Sequence, residues 1–234
     1  MNLLSLLRNQ TKNHFARTLF LFENISLSPI QTQSLLDGSI NDKINLDYED
    51  TIIVRNVINA LDFLDNCNLE TLKLNSDLYI HLNELLANEQ ALDVGYFRNS
   101  NVSIGCIDGA IPPVPKENIE KSLNAIANIN KDNFKEVIAE NFCKLIRMQP
   151  FFDGNKRTTL FFCNTVLLKK QLGIFFIENE KYDIFENELT KYYTEQLDCK
   201  LQEFLVKDCI KSISELDIDQ LKNQIKHNNI KQRR

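Results

Sequence analysis

The sequence predicts an all-α protein, a bundle of about eight or more helices interrupted by one small β-hairpin flap. Three observations point there. Glycine and proline are scarce, six and five in 234 residues, and they cluster, which leaves long stretches free of helix breakers. Apolar residues recur at helical spacing, as with Ile53, Val57, Ile58, Leu61 and Leu64 along 47–66. The stretch 94–114 departs from this: it holds Gly95, Gly105, Gly109, Pro112 and Pro113, and polar and apolar residues alternate at Asn101-Val102-Ser103-Ile104.

In chain order, a first helix is expected over 11–22, with a break at 23–27. Ser28-Pro29-Ile30-Gln31 opens a second: Ser28 can cap, Pro29 suits the first turn, and Gln31 completes a capping box. Gly38 ends it. Helices follow over 47–66 and 76–87, then the flap, then helices over 117–129 and 133–148. Pro150 to Asn155 reads as a loop and 156–172 as a helix that Gly173 stops. Two more are expected over 182–196 and 200–213, and the segment from Glu215 reads as a last amphipathic helix.

An apolar share of 43% is enough for a sizeable core, and a net charge of −5 argues against a general affinity for nucleic acid. No run approaches the ~18–20 apolar residues of a membrane span. The opening Met-Asn-Leu-Leu-Ser-Leu-Leu-Arg is too short for a secretion signal and lacks a basic start. The six cysteines contain no C-x-x-C pair, which argues against disulfides or zinc and suits a reducing cytoplasm. Lys222, Lys226, Lys231, Arg233 and Arg234 make the chain end basic, a pattern that reads first as a solvated end.

The chemistry lies in Gln149-Pro150-Phe151-Phe152-Asp153-Gly154-Asn155-Lys156-Arg157-Thr158-Thr159-Leu160. A glycine-bearing loop runs straight into a helix start, where free backbone N–H groups and the positive helix end form an anion site. Gly154 lets the backbone come close to a ligand. Lys156 and Arg157 add cations, and Asp153 offers a hard oxygen for Mg²⁺, which phosphate chains usually carry. The plain alternative is an ordinary interhelical loop, which rarely collects acid, glycine, amide and two cations.

This segment resembles the signature of the Fic (Fido) family, His-x-Phe-x-(Asp/Glu)-Gly-Asn-(Gly/Lys)-Arg-x-x-Arg. Three further segments resemble family features in the same order. Phe22-Glu23-Asn24-Ile25-Ser26-Leu27-Ser28 is similar to the surroundings of the inhibitory motif. Val94-Gly95-Tyr96-Phe97-Arg98, Val102-x-Ile104-Gly105 and Pro112-Pro113 look like the flap that aligns a target segment. Phe161 to Leu168 followed by Gly173 is similar to the helix behind the loop. The resemblance covers roughly 18–205 and implies N-terminal helices over 1–45, a Fic core over 46–213 and a basic tail over 214–234.

It also implies roles. Asp153 would hold Mg²⁺; Gly154, Asn155 and Lys156 would line the phosphate cradle; Arg157 would pair with phosphate oxygens. Phe151 would anchor the loop, and Val102, Ser103, Ile104 and Gly105 would present the target. The activity implied is transfer of AMP, or another nucleotide monophosphate, from Mg-ATP or a related triphosphate to a Ser, Thr or Tyr hydroxyl of a target protein.

Three departures qualify this. Gln149 stands where the family has the histidine that acts as general base, and a carboxamide has no useful pKa. Leu160 replaces the last arginine, the familiar partner of the inhibitory glutamate, while Leu19 replaces the Ser or Thr of that motif. Glu23 is therefore the inhibitory candidate, with Lys156 or Arg157 as its possible partner. Lys156 itself resembles the Doc-like branch, which transfers phosphate. The readings are an attenuated nucleotidyl transferase, a catalytically inactive nucleotide- or peptide-binding module, and, more distantly, a phosphotransferase.

Overall fold

The computed structural model describes residues 3–38, 44–91 and 93–216, with backbone only for 3–11. The basic chain end and nearly all of the helix expected from Glu215 lie outside the described residues. There are nine α-helices among the described residues: α1 (Leu3–Leu21), α2 (Pro29–Leu36), α3 (Tyr48–Asn66), α4 (Ser76–Leu86), α5 (Lys116–Ala127), α6 (Phe134–Met148), α7 (Asn155–Lys170), α8 (Tyr182–Tyr193) and α9 (Leu201–Phe204).

The helix starts follow local chemistry. Ser28 accepts from the Gln31 amide while the Gln31 side chain accepts from the Ser28 amide, so the capping box forms. Asp47 caps α3 and Asn75 caps α4, each through its side-chain oxygen. The first helix begins well before Thr11 and ends in a tight corner. There Asn24 takes φ 62°, and the amides of Glu23 and Ile25 both donate to the Phe20 carbonyl at 3.0 Å. Asparagine tolerates that left-handed geometry better than most residues. The corner turns Glu23 toward α7.

Helix α7 is buried from Arg157 through Leu168. A helix buried on all sides belongs in the middle of a bundle, and α1, α4, α5 and α6 pack around this one. One continuous core results, running from Phe15 and Leu19 of α1 through Leu61, Leu82 and Phe142 to Phe161 and Phe162 of α7. No helix among the described residues is long and apolar enough to cross a membrane.

Three expectations need correction. The chain does not simply stop at Gly173. It continues as strand β1 (Gly173–Phe175), antiparallel to β2 (Ile210–Ser212), with Gly173 opposite Ser212 and Phe175 opposite Ile210. A Cβ on Gly173 would lie 2.0 Å from the Lys211 carbonyl oxygen, so the residue serves close strand approach. The helix-ending left-handed residue is Gln171, at φ 53°. Second, the helix expected over 200–213 ends early: α9 runs on as a π-helix over Leu205–Cys209, and β2 follows. Third, the flap is not a full hairpin. Its strand character among the described residues is a single antiparallel bridge between Val102 and Ile111, with N–H···O distances of 3.1 and 2.8 Å.

Candidate functional site

Helix α6 ends at Met148. Gln149 then takes φ 47°, and the chain turns through Pro150–Asp153 into α7. Phe151 is fully buried against Tyr79 and Phe97, with ring centroids 5.2 and 5.4 Å away, and so ties the loop to the core. Gly154 precedes the helix at φ 73°. The space beside it is also tight, since a Cβ there would approach the Ala87 Cβ to 3.0 Å. Both features select glycine.

Asn155 braces the loop from within. Its Oδ1 accepts from the Phe151 amide at 2.9 Å, and its Nδ2 donates to the Phe151 carbonyl at 2.9 Å and to Gln149 Oε1 at 2.8 Å. Asn83 of α4 braces it from outside. Its Nδ2 donates to the Asp153 carbonyl at 2.9 Å and its Oδ1 accepts from the Gly95 amide at 3.3 Å, joining loop and flap. The first intrahelical bond runs from the Thr158 amide to Gly154 O at 2.8 Å. Among the described residues nothing accepts from the amides of Asn155, Lys156 and Arg157. This is the anion-binding geometry of an uncapped helix start.

The cations are arranged differently from the sequence expectation of two open phosphate ligands. Arg157 is fully buried. Its Nη1 donates to Leu86 O at 2.6 Å and to Gln90 Oε1 at 2.5 Å, its Nε meets Glu23 Oε1 at 2.7 Å, and its Nη2 lies 3.5 Å from Asp153 Oδ1. Lys156 donates to the Phe22 carbonyl at 3.0 Å and lies over the Phe22 ring. The α1–α2 corner therefore touches both cations. Burial holds the Glu23 carboxyl above its ordinary range despite Arg157 and Lys156, and burial holds the Lys156 ammonium below its own. Both groups are short of solvent.

Gln149 is tied at both ends. Its Nε2 donates to Ile146 O at 2.5 Å and its Oε1 accepts from Asn155. Leu160 is fully buried and, being apolar, offers no charge to a phosphate. Asp153 keeps its side chain part-exposed at the loop mouth, and its Oδ1 accepts from the Gly154 amide. No group of three or more His, Cys, Asp or Glu side chains able to hold a metal occurs among the described residues. A Mg²⁺ that takes most of its ligands from phosphate oxygens and water needs one such carboxylate, and Asp153 fits that habit. In the flap, Val102 and Ile104 are half-buried while Ser103 and Gly105 are exposed.

Sequence reading missed Asn83 and Gln90. Asn83 carried a signal: it sits among Leu78, Leu82 and Leu86 on the buried side of α4, where a polar side chain needs partners. Gln90, in the turn after α4, carried none.

The Fic/DOC family model matches residues 73–167, from just before α4 to most of α7. The fold is shared with solved Fic proteins. A Fic domain containing signalling protein from Bacteroides thetaiotaomicron superposes with a TM-score of 0.59 at 18% identity, over 86% of this chain and 81% of that one. Fic-1 (residues 134–508) from C. elegans gives 0.64 at 16% identity, over 97% of this chain and 68% of that one. A Fic family protein from Desulfovibrio desulfuricans gives 0.57 at 16% identity, over 85% and 62%. No curated protein sequence matches the chain.

Proposed function

We propose that this protein binds a Mg-nucleoside triphosphate, ATP as first candidate, at the start of α7 and transfers its nucleotide monophosphate slowly to a hydroxyl of a target protein. The observation that carries this reading is the trio of unclaimed amides at Asn155, Lys156 and Arg157, with left-handed Gly154 before them and Asp153 at the mouth. Those amides would receive phosphate oxygens. Magnesium, held by Asp153, would neutralise charge on the phosphate chain and its leaving group. A target hydroxyl oxygen would form the new bond to the α-phosphorus as the bond to the bridging oxygen breaks and pyrophosphate leaves. Gln149 cannot take the hydroxyl proton, which would pass to water. Lack of a positioned base costs about 10²–10⁴ in rate.

A second reading has its own support. The Gln149 carboxamide is bonded at both ends, and the Arg157 donors are taken by protein groups. Such a site would hold nucleotide, or a peptide along the flap, without turning it over.

Purified protein and its Gln149→His variant, given lysate and ATP labelled on either the α- or the γ-phosphate, separate these readings. The expected result is weak labelling from α-phosphate by the natural chain and labelling about 10²-fold or more stronger by the variant. Label from γ-phosphate alone would make it a phosphotransferase. Nucleotide binding with no label from either protein would leave the binding module.

The Glu23 bridge adds a regulatory element to the proposal. Glu23→Gly should tighten Mg-ATP several-fold, about 1 kcal/mol, because Arg157 and Lys156 lose their competing anion. Calorimetry showing unchanged affinity would remove Glu23 from regulation of this site.

A further inference from the structure

A guanidinium carries five N–H donors in a rigid fork, and in Arg98 every one finds a main-chain carbonyl. Nε donates to Gln149 O. Nη1 donates to Ser100 O at 2.6 Å and Ile111 O at 3.0 Å, and Nη2 to Pro112 O at 2.8 Å and Met148 O at 3.2 Å. The Arg98 amide adds a bond to Pro150 O at 2.9 Å. The residue is only 5% exposed and forms no ion pair with a carboxylate among the described residues.

The five carbonyls fall into two groups. Met148 and Gln149 end α6, where carbonyls lack intrahelical donors and the helix end is negative, so a buried cation acts as the cap. Ser100, Ile111 and Pro112 lie on the two sides of the flap. Among the described residues, those sides are joined by the Val102–Ile111 bridge alone. Two bonds joining a loop of this length hold it poorly against solvent, so its place beside the Gln149–Asn155 loop needs another fastener.

We propose that Arg98 is a positioning residue: its guanidinium sets the height and register of the flap edge against the loop that starts α7, and so fixes where a target strand would lie relative to the bound nucleotide. This rests on reading the loop as a nucleotide cradle and the flap as the target edge. Arg98 touches neither substrate. Lysine keeps the charge but offers three donors from a point, so it cannot span both groups of carbonyls.

The test uses the full chain and Arg98→Lys, with hydrogen exchange followed by mass spectrometry and Mg-ATP titrated into both. Exchange over 99–112 should quicken about tenfold or more, while exchange over 156–170 stays within about twofold. Mg-ATP affinity should hold within about threefold, since the cradle amides are not disturbed. Quickening that is equal throughout the protein would make Arg98 an ordinary stability residue and overturn the proposal, as would no change in the flap. Should the lysine variant fail to fold, the wild-type protein still decides. Five-fold bonding predicts separate, slowly exchanging Nη–H resonances for Arg98 by NMR, and a single averaged signal would overturn the assignment. If wild-type protein does not bind Mg-ATP, the nucleotide reading fails, while the exchange and NMR results still decide what Arg98 does to the flap.

Discussion

Arg157→Ala should lower stability by about 3–5 kcal/mol, the cost of breaking a buried charged group out of its partners. The side chain it removes is fully buried and large. Truncation strands the Leu86 carbonyl and Gln90 Oε1, leaves a cavity between α4 and α7, and takes from Glu23 the cation that meets it at 2.7 Å. Glu23 retains a quarter of its side-chain exposure and can partly rehydrate, so the lower end of that range is expected. For a chain of this size about 3 kcal/mol corresponds to roughly 6–12 °C in Tm. Urea unfolding reads it directly. A variant with unchanged stability but weakened Mg-ATP would show that the guanidinium faces the ligand and not the protein.

Gly154→Ala carries the next largest effect. Left-handed backbone costs a residue with a Cβ about 1–2 kcal/mol. The new methyl carbon would also lie 3.0 Å from the Ala87 Cβ and 3.3 Å from Asn83 Nδ2, which holds the Asp153 carbonyl. Relief requires the loop to move off Asn83, carrying Asp153 and the α7 amides with it. The expected outcome is a stability loss of about 2 kcal/mol and Mg-ATP affinity at least about tenfold weaker. Gly105→Ala is the control. Nothing lies within 4 Å of a Cβ there and the backbone is not left-handed, so both measurements should barely move. A Gly154 variant equal to that control would mean the loop does not need its tight turn.

The helices and the loop-to-helix junction were legible in the sequence because local signals control them. Ser28 and Gln31 cap as their spacing implies, and α3, α4 and α6 follow apolar periods that packing merely reinforces. What escaped was set by partners distant in sequence. Strands β1 and β2 are three residues each, too short for an alternation to be seen, and Gly173 looks like a helix stop until Lys211 is placed against it. Within the candidate site the loop's composition was plain, but the bonding of its side chains was not. Nothing in Asp153–Arg157 says that the arginine faces Leu86, Gln90 and Glu23 while the lysine reaches the Phe22 carbonyl. Arg98 was visible as part of the flap-like segment, but its bonding was not. Its acceptors are backbone carbonyls, which every residue possesses and no sequence pattern marks.

The corner after α1 has a practical consequence for anyone trimming this protein. Phe15 packs at a tilt against Phe161 of the central helix, Phe22 rests on Phe185 of α8, and Glu23 meets Arg157, so the opening helix is a wall of the same room that holds the loop. A shortened chain starting at residue 46 would bare one side of α7 to water and unclasp the site's cations together. Loss of ligand handling in such a fragment would report a ruined scaffold, not a removed inhibitor, and single changes at Glu23 are the cleaner way to ask what that helix governs.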